Sequence, residues 1–112
     1  MVEQPKIDLT PWDWELVKRI LSKCIPEYEV WAFGSRAKSK AKPYSDLDLA
    51  VISEQALPLA TMADLRESFD DSDLTIKVDV VDWATTSESF RKIIKESRVV
   101  VQIGSETQNK DQ

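Results

Sequence analysis

The chain has 112 residues, 42% of them hydrophobic and 31% charged, which fits one globular domain and argues against wholesale disorder. It has no histidine and one cysteine, which excludes Ser-His-Asp hydrolysis, Cys-His catalysis, His-bearing zinc sites and an intrachain disulfide. The net charge of −5 argues against direct nucleic-acid binding, and the lack of a long apolar run or a signal-like N-terminus predicts a cytoplasmic protein that does not contact membranes.

The first part of the chain contains one predicted helix. Residues 1–9 are predicted to form a flexible leader. Thr10 then has the features of an N-cap and Pro11 those of a first helical residue, and apolar residues recur at helical spacing as far as Cys24. Pro26 ends the helix. We interpret Cys24 as a core residue rather than a nucleophile, because its place on the apolar face accounts for it.

The middle of the chain alternates between strand and helix patterns. Three segments rich in β-forming residues are predicted strands, namely residues 28–33, 47–52 and 76–81. The polar stretch between the first two is predicted to be a loop. Residues 57–69 carry the apolar stripe of a helix.

The last part of the chain completes the predicted domain. Thr85–Glu88 resembles a capping box, which predicts a helix after it, and residues 99–103 are predicted to form a short edge strand. The polar residues 104–112 are predicted to be a frayed tail. The order of elements over residues 10–103 predicts one α/β (α+β) domain, with helices packed on a small mixed sheet.

Two aspartates at the start of the second strand are the first candidates for chemistry. Asp46 and Asp48 are two residues apart, so both side chains point to one face of the strand while Leu47 points to the core. Two carboxylates held this close repel each other unless a cation lies between them, and oxygen ligands of this kind suit Mg²⁺ or Mn²⁺. Taken alone, an Asp-x-Asp pair is more often a solvated strand start.

A glycine and a serine directly after the first strand are the second candidates. Gly34 lets the backbone approach a ligand closely, and Ser35 offers a hydroxyl beside an N–H group. Such groups at the end of a strand can form a nest for a phosphate. Taken alone, the pair is better interpreted as a plain turn.

In combination, these motifs resemble the signature of the DNA polymerase β-type nucleotidyltransferases. Gly34-Ser35 is followed by ten residues and then by Asp46-Leu47-Asp48, and residues 31–52 are particularly similar to the minimal nucleotidyltransferase (MNT) family. The similarity extends more weakly over residues 14–103, and Val78–Asp82 resembles the strand that bears the family's third carboxylate. The resemblance implies a polymerase β-like fold and the transfer of AMP, or another nucleoside monophosphate, from an NTP to a hydroxyl group.

The resemblance also implies the roles of three carboxylates. Asp46 and Asp48 would bind Mg²⁺, with Mn²⁺ as an alternative, and this ion would coordinate the triphosphate of ATP. Asp79 would complete a second metal position near the acceptor hydroxyl, which is the two-metal arrangement of in-line displacement. Asp82 is a rival for this role, but strand parity places it on the opposite face from Asp79.

The phosphate contacts are implied in the same way. Ser35 and the backbone of Gly34 and Ser35 would hold the terminal phosphates, and Arg36 would contact the triphosphate and balance the departing pyrophosphate. Relatives often have glycine near the position of Ser39, so the loop is expected to curve differently here. The loop lysines, Lys38, Lys40 and Lys42, are interpreted as solvated residues that attract the NTP.

Finally, the resemblance implies a partner. MNT proteins are commonly paired with a HEPN-domain protein, often as the antitoxin to a HEPN ribonuclease toxin, which implies AMP transfer to a hydroxyl of that toxin, with tyrosine as the expected acceptor. The alternative is a non-catalytic module that neutralises its partner by contact alone, although contact alone requires none of the three carboxylates. An antibiotic nucleotidyltransferase is disfavoured, because it would need a further substrate domain. Trp12 lies off the apolar face of its helix and is equally consistent with a partner contact and with a cap over the helix start.

Overall fold

The computed structural model describes residues 7–38 and 45–104. The helices and strands of these residues are, in chain order, α1 (Pro11–Cys24), β1 (Glu29–Phe33), β2 (Leu47–Ile52), α2 (Leu59–Asp70), β3 (Val78–Asp82), α3 (Glu88–Ser97) and β4 (Val99–Gln102). They agree in type and order with the predicted elements, and a short 3₁₀-helix that was not predicted joins β3 to α3. None of the helices in this part of the chain has both the length and the apolar character needed to cross a membrane.

The strands in the described residues form one mixed sheet in the order β3-β2-β1-β4. β1 pairs antiparallel with both β2 and β4, whereas β2 and β3 run parallel and are joined by the crossover through α2. β4 lies at an edge of the sheet, as predicted. The result is the predicted α+β arrangement, in which the starts of β2 and β3 meet at the same end of the sheet as the end of β1.

The two faces of the sheet are packed differently. One face is covered by α1 and α2 and forms the main core with the buried strand residues Leu47, Leu49, Val51 and Val80. Cys24 packs against this core, as predicted. The other face has a smaller cluster with α3, formed by Phe33, Ala50 and Ile94. Because strand side chains alternate, Asp48 and Asp79 stand on this second, less covered face.

The start of α1 is attached to the segment that leads into β3. The Thr10 hydroxyl accepts the N–H of Asp13 at 3.1 Å, which confirms the predicted N-cap. Asp13 is only 2% exposed, and its carboxylate accepts the N–H of Thr75 at 3.0 Å and also the Thr75 hydroxyl. The helix therefore holds the chain just before the strand that carries Asp79.

The folded part of the chain begins earlier than residue 10. Ile7 and Leu9 fall within the predicted leader, yet both are buried in the main core. Their apolar side chains fill space beside the start of α1, which the helical pattern from Thr10 onward does not indicate. The remaining leader residues 1–6 and the tail residues 105–112 lie outside the described residues.

The capping box predicted at Thr85–Glu88 is wrong. The N-cap of α3 is Ser87, whose hydroxyl accepts a backbone N–H from the first turn of the helix. The hydroxyls of Thr85 and Thr86 instead donate to the carbonyl oxygen of Asp82, at 3.1 and 2.8 Å. The threonines therefore stabilise the turn that ends β3, and the helix starts after them.

Replacing Asp13 by alanine should lower the free energy of unfolding by about 1–3 kcal/mol, because Thr75 then loses the partner of its N–H and its hydroxyl. Urea denaturation measures this change. Glu15→Ala is the control, since Glu15 forms an exposed ion pair with Lys18 on the same helix at 2.8 Å and should contribute little. An equally small effect of both substitutions would show that the bond to Thr75 does not hold the helix start.

Candidate active site

Asp48 and Asp79 lie next to each other on neighbouring strands. They are directly paired in the parallel register of β2 and β3, so both side chains stand on the same face of the sheet. Neighbouring strands are about 4.8 Å apart, which brings the two carboxylates within reach of one cation. Asp48 is partly buried and Asp79 is exposed, so the pair opens toward solvent on the β3 side.

Asp46 lies just before β2 and adds a third negative charge. Burial, together with the charges of Asp79 and Asp46, raises the pKa of the Asp48 carboxyl to about 6. At neutral pH the three acids therefore repel one another in a partly desolvated place. A positive charge bound there would relieve this repulsion.

The turn that follows β1 is pressed against Asp48. Gly34 has a φ of 81°, which is the left-handed region that favours glycine. Phe33 pairs with Asp48 across the strands, and a Cβ atom at position 34 would lie 2.5 Å from Asp48 Oδ2. The Lys38 N–H donates to the Gly34 carbonyl at 3.1 Å, so the chain makes one helical turn here. Only glycine allows this turn to approach the carboxylate so closely.

Ser97 belongs to the site and was not found from the sequence. The Gly34 N–H donates to Ser97 Oγ at 3.2 Å, and Ser97 is buried at the last residue of α3. The hydroxyl thus fixes the position of the turn that touches Asp48. The two partners are 63 residues apart, and no local motif marks the serine.

Arg36 is only 6% exposed, and its guanidinium binds the protein's own backbone. Nε donates to the Ser45 carbonyl oxygen at 2.9 Å, and Nη1 donates to that of Asp8. The Arg36 carbonyl oxygen in turn accepts the Asp8 N–H at 2.9 Å. These bonds tie both ends of the loop before Asp46 to the chain that enters α1. They give Arg36 a structural role that the sequence did not reveal, and its contact with a triphosphate stays a prediction.

Asp82 has a different environment from Asp79. Leu57 donates its N–H to Asp82 Oδ2 at 2.8 Å, and Ala84 donates its N–H to Oδ1 at 3.1 Å. The carboxylate therefore holds the chain that enters α2 and the start of the 3₁₀-helix, on the side of the strand opposite to Asp79. In the loop before Asp46, Lys38 is exposed. Ser39, Lys40 and Lys42 lie outside the described residues.

The donor set suits a hard divalent cation that is bound together with phosphates. Mg²⁺ usually takes one or two carboxylates from a protein and fills its other positions with water and phosphate oxygens. In residues 7–38 and 45–104, no three His, Cys, Asp or Glu side chains converge closely enough to hold a metal ion by themselves. Asp48 and Asp79 therefore offer part of a coordination sphere, which the phosphates of a nucleotide can complete.

Residues 15–106 match the protein family described as Polymerase beta, Nucleotidyltransferase. The match includes the turn after β1 and all three carboxylates. The chain is also 49% identical to the Haemophilus influenzae (strain Rd) protein named "Probable protein adenylyltransferase MntA", over 110 residues that make up 98% of this chain and 96% of that relative.

Solved structures with a similar fold come from toxin–antitoxin complexes. A toxin–antitoxin structure with AMP-PNP has a TM-score of 0.63 at 22% identity, with 88% of this chain and 78% of that chain covered. A tri-AMPylated Shewanella oneidensis HEPN toxin in complex with an MNT antitoxin has a TM-score of 0.60 at 19% identity, with 88% and 76% covered. At these identities the likeness supports the fold alone.

The raised pKa of Asp48 predicts that Asp48→Asn stabilises the metal-free protein at neutral pH. The folded state binds a proton on Asp48 more tightly than the unfolded chain, whose carboxyl has the ordinary pKa of 3.8, so ionisation of Asp48 lowers stability as the pH rises from about 4 to about 6. Asparagine removes this dependence, so the advantage of the variant should be largest above about pH 6 and vanish toward about pH 4.

Urea denaturation in the presence of EDTA, repeated across this pH range, measures the difference between variant and wild type. Asp64→Asn, at an exposed position on α2, controls for the loss of one negative charge from the chain. A difference that does not change with pH would contradict the proposed cause.

Replacing Ser97 by alanine should weaken the binding of ATP with Mg²⁺ by about fivefold, because one hydrogen bond that positions the Gly34 turn is lost. Calorimetry measures the affinity, and thermal unfolding should change only slightly. Ser22→Ala, an exposed serine on α1, is the matched control and should leave ATP affinity unchanged. Unchanged affinity in Ser97→Ala would show that the turn holds its position without this bond.

Proposed function

The chain belongs to the polymerase beta nucleotidyltransferase family, and we propose that it transfers AMP from ATP to a hydroxyl group of a HEPN-domain partner protein. The acceptor in this proposal is a tyrosine side chain, and its modification neutralises a toxin. The reaction takes place in the cytoplasm, which is the compartment that supplies ATP.

The proposal rests on one arrangement, in which Asp48 and Asp79 lie side by side next to the turn at Gly34. Paired carboxylates beside a turn with backbone donors are what an in-line transfer between phosphate and hydroxyl oxygens requires. The name of the 49% identical relative, a protein adenylyltransferase, supports AMP as the group transferred. The complex of an MNT antitoxin with a tri-AMPylated HEPN toxin supports the choice of partner.

The carboxylates are proposed to hold Mg²⁺. Asp46 and Asp48 would bind an ion against the triphosphate, and Asp79 would help to bind a second one. Bound Mg²⁺ neutralises phosphate charge and lowers the pKa of a hydroxyl that approaches it. The raised pKa of the Asp48 carboxyl supports this assignment, because burial and the charges of Asp79 and Asp46 both disfavour the ionised carboxylate, and a bound cation would offset both effects.

The turn after β1 is proposed to bind the terminal phosphates. The Gly34 N–H is already bonded to Ser97, so the contact falls mainly to the N–H and hydroxyl of Ser35. Gly34 contributes by letting the turn lie close to Asp48. Arg36 adds positive charge near the triphosphate from its buried position next to Ser45.

In the proposed reaction, the acceptor oxygen attacks the α-phosphorus of ATP and forms a new phosphorus–oxygen bond. The bond between the α-phosphorus and the oxygen that bridges to the β-phosphate breaks, and pyrophosphate leaves with the electron pair. The acceptor hydroxyl, which has a pKa near 10 if it is a tyrosine, must lose its proton in this step. Asp79 is exposed on an edge strand, so its carboxylate can accept this proton and pass it to water.

Incubation of the protein with ATP, Mg²⁺ and its HEPN-domain partner should raise the intact mass of the partner by one or more AMP units and release pyrophosphate. Asp79→Asn should block this transfer while keeping much of the ATP affinity, because the triphosphate contacts remain. The double variant Asp46→Asn with Asp48→Asn should lose both transfer and metal-dependent ATP binding. Mass spectrometry and calorimetry measure the two effects.

Asp64→Asn is the control for a carboxylate remote from the site and should transfer AMP like the wild type. If the partner is neutralised while its mass stays unchanged, the protein acts by contact alone and the proposed transfer is wrong.

A further inference from the structure

Trp12 differs from the other tryptophans in the chain, because it alone presents most of its surface to solvent. Its side chain is 58% exposed, whereas Trp14 is buried in the main core. Trp31 and Trp83 pack edge-to-face with their ring centroids 5.2 Å apart. These two rings are further covered by the cationic side chains of Arg91, Lys95 and Arg98. The exposure of Trp12 therefore needs a separate explanation.

Trp12 is exposed and yet held in place. Its indole N–H donates to the carbonyl oxygen of Asp73 at 3.3 Å. The adjacent residue, Asp13, binds Thr75 with its buried carboxylate. Two consecutive residues of α1 thus bind the same short segment before β3, which limits the movement of the indole ring. A rigid aromatic side chain loses little conformational entropy when a partner covers it.

Trp12 also lies at the same end of the sheet as the acidic site. The segment that it binds continues to Lys77, whose carbonyl oxygen accepts the N–H of Leu47 at 2.9 Å, directly between Asp46 and Asp48 in the chain. The residues before α1 bind Arg36, which itself binds Ser45, the residue before Asp46. The exposed indole therefore lies at the same end of the sheet as the carboxylates, on the side that α1 covers.

We propose that Trp12 is the anchor of the surface on which the acceptor protein docks. The proposal rests on the proposed function, in which the acceptor hydroxyl belongs to a separate protein. That protein must cover the end of the sheet where Asp48 and Asp79 lie, and Trp12 is on that end. The occupant is an apolar pocket of the acceptor protein, next to the segment that carries its acceptor hydroxyl.

The indole ring has the properties of an interface anchor. Tryptophan is among the residues that contribute most to protein–protein binding when it is buried in a pocket of the partner. The N–H of Trp12 is already satisfied by Asp73, so a partner needs to offer only apolar surface to the ring. Leu59 is even more exposed, at 89%, but it starts α2 after the far end of β2. It thus provides a matched control at the opposite end of the sheet.

The test compares Trp12→Ala, Trp12→Phe and Leu59→Ala with the wild type. Calorimetry without ATP measures the Kd for the HEPN-domain partner, and the transfer assay measures KM for the same partner. Trp12→Ala should raise both by about tenfold or more, and Trp12→Phe should raise them less, because it keeps an aromatic ring. Affinity for ATP with Mg²⁺ and thermal unfolding should stay close to the wild type in all three variants, and Leu59→Ala should leave the Kd unchanged.

The other possible results separate the docking surface from the proposed function. If Trp12→Ala transfers AMP with unchanged KM and binds with unchanged Kd, the partner docks elsewhere, although the proposed function stands. If the wild type binds the partner through Trp12 but transfers nothing, the surface stands and the proposed function is wrong. If the isolated chain self-associates in sedimentation experiments and Trp12→Ala abolishes this, the occupant is a second copy of the chain and the proposal is overturned.

Discussion

The parallel pairing of β2 with β3 places Asp48 beside Asp79, and the Gly34 turn lies against Asp48. Burial of Asp48, together with the neighbouring charges of Asp79 and Asp46, raises the pKa of its carboxyl to about 6, so the ionised form of Asp48 destabilises the folded chain. The main core on the other face of the sheet supplies stability that offsets this destabilisation. The acids thus lie on one face of the sheet, and the well-packed layer of α1 and α2 lies on the other.

The helices are divided unequally between the two faces of the sheet. α3 reaches the turn after β1 through Ser97 and packs its other side against Trp83 through Arg91. The helix therefore extends along this face from Trp83 to the turn beside Asp48. Both α1 and α2 pack on the opposite face of the sheet, away from the side chains of Asp48 and Asp79. Among the described residues, Asp79 is exposed and Asp48 is partly buried.

Much of this arrangement could be predicted from local patterns in the sequence. The period-two pattern is enough to place Asp48 opposite to Leu47 in β2 and Asp82 opposite to Asp79 in β3, because parity within a strand is a local property. The position of Asp48 beside Asp79 depends in addition on the pairing of the two strands. The cap at Thr10 is equally local. The structural roles of Ser97 and Arg36 could not be predicted in this way. Their partners are distant in the sequence, and a buried serine or arginine has no characteristic spacing. The predicted start of α3 is wrong because three neighbouring hydroxyl residues can all serve as caps. Thr85 and Thr86 instead bind the nearby carbonyl oxygen of Asp82, which leaves Ser87 as the N-cap.

The bond from Arg36 to Ser45 has a consequence for how this sequence can change over evolutionary time. It closes the loop at its base, so the two ends of residues 39–44 are joined by a contact between described residues. Arg36 and Ser45 both lie outside that segment, so substitutions within it do not remove either partner of this bond. The arginine that joins the ends is therefore expected to be retained among descendants of one ancestor, because it fixes the distance between the two motifs.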